Sequence, residues 1–363
     1  MMHNEIVSGR YPSQSAISGK SRRNRFLSSS LRNVPRTALV VNPSSRNGLT
    51  GKNWDSLLVK IRKSLKGNVE VAFSQRPGDA TILTRVFLKR GFKSIVAIGG
   101  DGTINEVANG FFEQPRRSHK TAGHRASVMN ARPVLKPINP EAVLGIIPTG
   151  TRNVLAKSLG IPEGIVPSCQ RLATGRSRWI DTIVATVTTK DHLSARTRLF
   201  LNAAEIGLGG EIIERSRKVR KVTGNRLIST ITGILATVPS YQSNNCEIIY
   251  DRTRRDLVNL TMAIIANGKY VGGGFMPAPD ARISDGKLDV VIVRDSGSLR
   301  MLDELVPMKK GNYNNGSNIR HDQSKSVYLE SKEREITVAA DGETIGILPA
   351  LFTVLPRSLR LRF

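Results

Sequence analysis

The run SIVAIG at 94–99 most narrows what this chain can become, because it is apolar without alternation and ends directly on a glycine turn. A strand with one wet face alternates apolar and polar residues. A strand with no polar positions must be covered on both faces, as a parallel strand is between two layers of helix. TALVVN at 37–42 and VLGIIP at 143–148 share that texture, and VEVAFS at 69–74 reads as a further strand. Between them Trp54, Leu57, Leu58, Ile61 and Leu65 recur at helical spacing, and Asp79 stands where an N-cap would start a helix through Phe87. Strand and helix so alternating predict a doubly wound (Rossmann-like) α/β domain over residues 37–165.

Beyond about residue 176 the texture changes to short strand-like runs separated by turns, among them CEIIYD, VNLTMAIIAN, KLDVVIV and LFTVLP. They predict an all-β antiparallel, sandwich-like domain over 166–363, with its last strand returning to the first domain. Two basic segments stand outside this plan. Residues 1–36, with Glu5 the only acid, read as a disordered tail, and residues 112–140 as a mobile surface loop inserted in the first domain. An organelle transit peptide and a membrane-surface tether are the other readings of the tail.

Composition excludes several kinds of chemistry. No stretch has the roughly 18 consecutive apolar residues needed to span a bilayer, so a soluble or peripherally bound protein is expected. Cys169 and Cys246 fit neither a metal spacing nor a disulfide framework and point to a reducing, cytoplasmic setting. The five histidines form no cluster, and no G-x-S-x-G nucleophile turn occurs. Lys and Arg number 55 against 29 Asp and Glu, a net charge of +26 that attracts nucleotides, nucleic acid and anionic membranes alike.

The chemistry concentrates in two turns. Gly99-Gly100-Asp101-Gly102-Thr103 joins the buried strand 94–99 to a helix through Ile104 and Val107. Glycines let backbone approach a phosphate, and the free N–H groups of a helix start favour an anion. The same turn without a ligand is a tight strand-to-helix connection capped by Asp101 or Thr103. It is neither a Walker loop nor the dinucleotide GxGxxG. A second glycine turn, Pro148-Thr149-Gly150-Thr151-Arg152-Asn153, follows the next strand. Two such turns at the carboxyl ends of neighbouring strands point to one crevice.

Taken in order, VVNPSSRNG (40–48), GDA (78–80), GGDGTINEVANG (99–110), LGIIPTGTRNVLA (144–156), ANGKYVGGGFMPAPDARISDGKLDVVIV (266–293) and ADGE (340–343) resemble the diacylglycerol kinase catalytic-domain superfamily of diacylglycerol, sphingosine and bacterial lipid kinases. The likeness runs from about Ala38 to the end of the chain. It implies ATP as donor, Mg²⁺, and a lipid alcohol as acceptor at an anionic membrane surface, in phospholipid metabolism, with a homodimer as a reasonable assembly. It assigns nucleotide contacts to Gly99, Gly100, Asp101, Gly102, Thr103, Ile104, Asn105 and Glu106, to Thr151 and Asn153, and to Ser74, where relatives carry Thr. Asp341 matches the family's general base, and Glu343 lies two residues on along the same strand face. Asp285, with the carbonyls of Arg282 and Lys287, matches a structural Mg²⁺ site.

Other readings stand beside these. Asp341-Gly342 and Asp285-Gly286 are equally the pairs that close tight turns. Glycines 272–274 suit close backbone packing better than ligand contact. Val154 follows the second turn's Asn153 where many relatives have Asp, which points to altered local packing. The rival functions are NAD kinase-like activity and a non-catalytic basic nucleotide or nucleic-acid binder. The continuation NEVANG and the long glycine-rich block weigh against the first. The 5% aromatic content, not interleaved with basic runs, gives no specific nucleic-acid platform for the second.

Overall fold

A computed structural model of the protein describes residues 37–65, 68–113, 124–132, 134–223, 232–234, 236–295, 307–313 and 318–363. The expected disordered tail 1–36 lies outside the described residues, as do 114–123 and 133 of the inserted loop. No helix among the described residues is long and apolar enough to cross a membrane.

The first lobe is built on β1 (Thr37–Val41), β2 (Val69–Phe73), β3 (Ser94–Gly99) and β4 (Val143–Pro148). They pair in parallel in the order β2-β1-β3-β4. Its helices are α1 (Leu49–Lys52), α2 (Trp54–Leu65), α3 (Asp79–Lys89), α4 (Asp101–Gly110), α6 (Val154–Ser158) and α7 (Ile165–Thr174), while α5 (His124–Met129) interrupts the series. One sheet face buries Leu39, Val41, Val96, Ile98 and Ile147 against Ile61 of α2 and Cys169 and Leu172 of α7. The other buries Ala38, Val40, Ile95, Ala97 and Ile146 against α3 and α4. Helices on both faces leave the interiors of β1, β3 and β4 apolar, while β2 at the sheet edge is only half-buried and carries Glu70. Because α7 packs in this layer, the lobe continues to about Thr174, past the boundary expected after residue 165. Apolar residues at helical spacing do not show which sheet they will cover.

The second lobe is antiparallel. Its strands are β5 (Ser177–Thr188), β6 (Ala195–Phe200), β7 (Ala203–Gly207), β8 (Asn244–Tyr250), β9 (Arg254–Ala266), β10 (Leu288–Arg294), β11 (Ile319–Ser324), β12 (Ser326–Ser331), β13 (Thr337–Ala340) and β14 (Glu343–Arg362). One long helix, α8 (Leu208–Thr223), follows β7 directly. Side chains from most of these strands meet in one core, among them Ile183, Phe200, Ile248, Val290, Leu329 and Phe352. Phe200 and Phe352 pack edge to face at 6.2 Å, worth about 1 kcal/mol beyond their burial.

The 20-residue strand β14 belongs to both lobes. It pairs antiparallel with β5 along most of its length, and its last residues Leu361 and Arg362 run parallel beside Leu144 and Gly145 of β4. Register shifts fall between Ile347 and Ala350 and between Leu355 and Leu359. Each contains a proline, Pro349 or Pro356, which has no N–H to lose from the ladder. Such bulges let one strand bend from the sandwich into the parallel sheet.

Part of the inserted segment 112–140 is ordered, contrary to the expectation of a mobile loop. Val128 of α5 is fully buried against Ile249, Tyr328 and Leu351, with Met129 beside it. A single Val-Met pair in a polar stretch is too short a pattern to stand out in sequence, yet it docks the helix on the second lobe. Val128→Ala should therefore cost about 1–2 kcal/mol of stability, read as a lower urea midpoint at unchanged slope.

Candidate active site

The parallel strands end together. Val41, Phe73 and Ile98 lie in one register, and Gly99 pairs with Pro148, so the segments that follow all four strands share one edge. Ser74 donates its backbone N–H to Val41 O (2.9 Å) there. Asn42 Nδ2 donates to Thr103 Oγ1 (3.0 Å), and Ser45 Oγ and Thr149 Oγ1 are 2.9 Å apart, stitching the β1 turn to both glycine turns. The turns touch each other. A Cβ on Gly150 would lie 2.4 Å from Gly100 Cα, so position 150 has no room for a side chain, and one on Gly100 would press on Gly150 Cα at 3.1 Å. Asn153 holds the second turn through Gly150 N–H to its Oδ1 (2.9 Å) and its own Nδ2 to Gly150 O (3.1 Å), while Thr151 and Arg152 are exposed beside it. Asp101 Oδ1 accepts Leu155 N–H (3.2 Å) at the start of α6.

Helix α4 carries the first turn to the second lobe. Asn109 Nδ2 donates to Leu199 O (2.9 Å) and its Oδ1 accepts Leu199 N–H (3.3 Å), so one side-chain amide pairs with β6 as a neighbouring strand would. Asn105 Nδ2 donates to Leu199 O (3.2 Å) and to Asp341 Oδ2 (2.7 Å). Glu106 turns the other way. Its Oε2 accepts Ala80 N–H (3.2 Å), tying the GDA turn and α3 to α4. Burial raises its carboxyl, Glu343 adds to the rise, and the N–H groups of Gly78 and Ala80 oppose it.

Asp341 reaches this point on a two-residue hairpin. Asp341 (φ 46°) and Gly342 (φ 79°) are both left-handed, and Ala340 pairs with Glu343 across the turn. This is the geometry that Asp-Gly favours between twisted strands. The Asp341 carboxylate accepts four hydrogen bonds: Asn105 Nδ2 (2.7 Å) and Leu201 N–H (3.0 Å) on Oδ2, Asn202 N–H (3.0 Å) and Ala203 N–H (3.1 Å) on Oδ1. Burial pushes the carboxyl up while these donors pull it down. Glu343 Oε2 accepts from Arg198 Nη2 (3.3 Å), and its Oε1 would lie 3.5 Å from a Cβ on Gly102.

A cavity of about 310 Å³ opens between these groups. Its wall combines polar residues, Asp101, Arg152, Asp341 and Glu343 with the Gly102 turn, and apolar ones, Ile212, Ile264, Val271, Phe275 and Met308. Glu205 of β7 is also on the wall, and its carboxylate accepts no hydrogen bond among the described residues. Burial raises it to about 7, against the pull of Arg152 and with a contribution from Asp341.

Of the residues expected at a site, Asp101, Gly102, Asp341 and Glu343 line this cavity. Gly99, Gly100, Thr103, Asn105, Thr151 and Asn153 shape the turns behind it. Ile104 is buried in the core under α4. Asp285, Arg282 and Lys287 form a separate exposed turn, where Asp285 Oδ1 accepts Lys287 N–H (3.0 Å) and buried Asp181 accepts Gly286 N–H (2.7 Å) and Arg357 N–H (2.7 Å). Its donor set, carboxylate and carbonyl oxygens open to water, is of the hard-oxygen kind that suits a hydrated Mg²⁺. No three of His, Cys, Asp or Glu are grouped to hold an ion among the described residues. Sequence reading missed Glu205, Asn109 and Arg198. A lone acid within the apolar run AAEIG was the one signal that could have drawn attention to Glu205.

The chain matches two family models end to end: the diacylglycerol kinase catalytic domain over residues 36–185, and the YegS C-terminal NAD kinase beta sandwich-like domain over 205–363. A curated diacylglycerol kinase of Staphylococcus haemolyticus is 28% identical, over 89% of this chain and 86% of its own length. One of Bacillus subtilis is 27% identical, over 90% and 96%. The crystal structure of a diacylglycerol kinase from Bacillus anthracis superposes with a TM-score of 0.63 at 21% identity, covering 91% of this chain and 97% of that one, and shares the fold. The protein is thus a phosphotransferase whose acceptor is an alcohol group. It belongs to the diacylglycerol kinase catalytic-domain superfamily, within a lipid kinase family.

The Asn109 clasp gives a direct test of how the lobes are joined. Asn109→Ala strands a buried N–H and weakens the hold on a carbonyl of β6, at about 1–3 kcal/mol for each stranded group. The expected result is a loss of about 3 kcal/mol in urea unfolding.

Proposed function

We propose that the protein transfers the γ-phosphate of ATP to the hydroxyl of a lipid alcohol. The cavity carries this reading: the GGDGT turn and a group of carboxylates share its wall with a set of apolar side chains. A nucleotide laid over the two glycine turns meets backbone N–H groups and the start of α4, which favour phosphate. An acyl or alkyl chain fits the wall of Ile212, Ile264, Phe275 and Met308 and leaves its head group beside Asp341.

Phosphoryl transfer depends on placement and charge neutralisation more than on covalent chemistry. Thr103, Asn105, Thr151 and Asn153 hold the turns in shape for the phosphates, and Ser74 closes the nucleotide edge. Asp101 and Glu343 are the carboxylates that would face a Mg²⁺ entering with the nucleotide, which supplies charge neutralisation on the phosphates when bound. Glu106 serves the GDA turn instead. An ion at Asp285 would stiffen that turn and take no part in transfer. Asp341 organises the centre, since its four donors come from α4 and from the β6–β7 junction.

The apolar side chains on the cavity wall argue against NAD as acceptor, whose transferred hydroxyl sits on a polar ribose. Radiolabelled γ-phosphate transfer to a total-lipid extract with Mg²⁺ tests the reading. Wild type should label a lipid, and Asp341→Asn should lose at least about 100-fold, because an amide there sets N–H₂ against the N–H donors that now hold the carboxylate. Label appearing in NAD and in no lipid would overturn the lipid reading, and ATP binding without any transfer would favour a binding role.

The +26 charge supports docking on anionic membranes, where such acceptors reside. Co-sedimentation with vesicles should rise with phosphatidylglycerol content and fall between about 0.05 and 0.5 M salt. Binding that ignores both would remove the membrane-surface role.

A further inference from the structure

A nucleotide laid over the glycine turns is a polyanion, yet the cavity wall beside it carries four carboxylates, Asp101, Glu205, Asp341 and Glu343. Like charges brought together out of bulk water repel strongly, so cations are needed among them. Two arginines share the wall, Arg152 and Arg217. Arg217 stands eight residues beyond Gly209 on α8, about 12 Å further along that helix. Arg152 belongs to the second glycine turn itself, two residues from the contact between Gly150 and Gly100.

The surroundings of Arg152 aim it across the cavity. Its turn is clamped by Asn153, which accepts Gly150 N–H at Oδ1 (2.9 Å) and donates from Nδ2 to Gly150 O (3.1 Å). From that turn the guanidinium reaches the second lobe, where a Cβ on Gly272 would lie only 3.1 Å from Arg152 Nη1. Position 272 therefore stays clear for the arginine because it carries no side chain. Glu205 on β7 supplies the opposing charge. Burial raises its carboxyl to about 7, and Arg152 is the cation that opposes the rise. Gly209 gives that carboxylate its room, since a Cβ there would lie 3.2 Å from Glu205 Oε2. A lone acid in an apolar strand and a glycine after β9 thus serve the same guanidinium.

Resting on the lipid kinase reading, we propose that Arg152 is a catalytic residue that binds the γ-phosphoryl group during transfer, and that Glu205 is a positioning residue that holds the guanidinium over the cavity. In the step, the acceptor oxygen bonds to the γ-phosphorus and the bond from that phosphorus to the leaving nucleoside diphosphate breaks. The acceptor's proton passes to Asp341, the base that the family resemblance implies. Arg152 exchanges no proton, because a guanidinium stays charged, and its planar fork of N–H donors matches two phosphoryl oxygens at once. A donor already aimed where charge develops needs no reorganisation during the step.

The test follows labelled transfer to the total-lipid extract at saturating ATP, with ATP and ADP binding measured in parallel. Arg152→Ala should lose about 10³-fold in kcat, the lower end of what an arginine on a transferring phosphoryl group supplies. ADP should bind within about threefold of wild type, and ATP should lose more than ADP, since ATP alone carries the γ-phosphate. Arg152→Lys, which keeps the charge without the fork, should fall between wild type and Arg152→Ala. Guanidinium ion added to Arg152→Ala should restore part of its rate. Glu205→Gln should cost about tenfold in the presence of Arg152 and nothing further in Arg152→Ala, as residues acting through one another do. Arg152→Ala within about threefold of wild type, ADP affinity falling as far as the rate, or Glu205→Gln costing the same in both backgrounds overturns this assignment and leaves the kinase reading standing. Wild type labelling no lipid overturns the kinase reading, and this assignment with it.

Discussion

The Asp341 carboxylate is the point on which the two lobes agree. Its four donors come from helix α4, which carries the GGDGT turn, and from three successive backbone N–H groups at the junction of β6 and β7. Burying a carboxylate is costly unless its hydrogen bonds are made, and here they can be made only if α4, the β6–β7 junction and the β13–β14 hairpin stand in one arrangement. The left-handed Asp341-Gly342 turn supplies the aim, and Asn105 and Asn109 supply the clasp. A buried carboxylate thus fixes how the two lobes meet at the cavity.

Much of this was legible in the chain. The unbroken apolar runs SIVAIG and VLGIIP demanded cover on both faces and received it from α2 and α7 on one side, α3 and α4 on the other. The two glycine turns were legible as partners, because two tight turns after adjacent strands of a parallel sheet have nowhere else to meet. Asp341-Gly342 was legible as a hairpin, and that turn is what brings the carboxylate to the cavity wall.

What sequence could not carry was contact between distant segments. Glu205 is a lone acid in an apolar strand, and only the pairing of β7 with β13 and β9 puts it on the cavity wall. The Asn109 pairing with Leu199 joins residues 90 apart and has no local signature. Likewise α7 could have covered either lobe, and α5 holds its place by a single buried valine. Each is decided by which surfaces meet, a property of the assembled fold.

The double membership of β14 bears on how the protein comes into being. Leu361 pairs with Leu144, so the parallel sheet of the first lobe gains its fifth strand only after the entire second lobe has been synthesised. A nascent chain that has emerged through β4 carries an open sheet edge, an invitation to pair with other chains. The first lobe therefore matures late, and its window of exposure is as long as the sandwich takes to make.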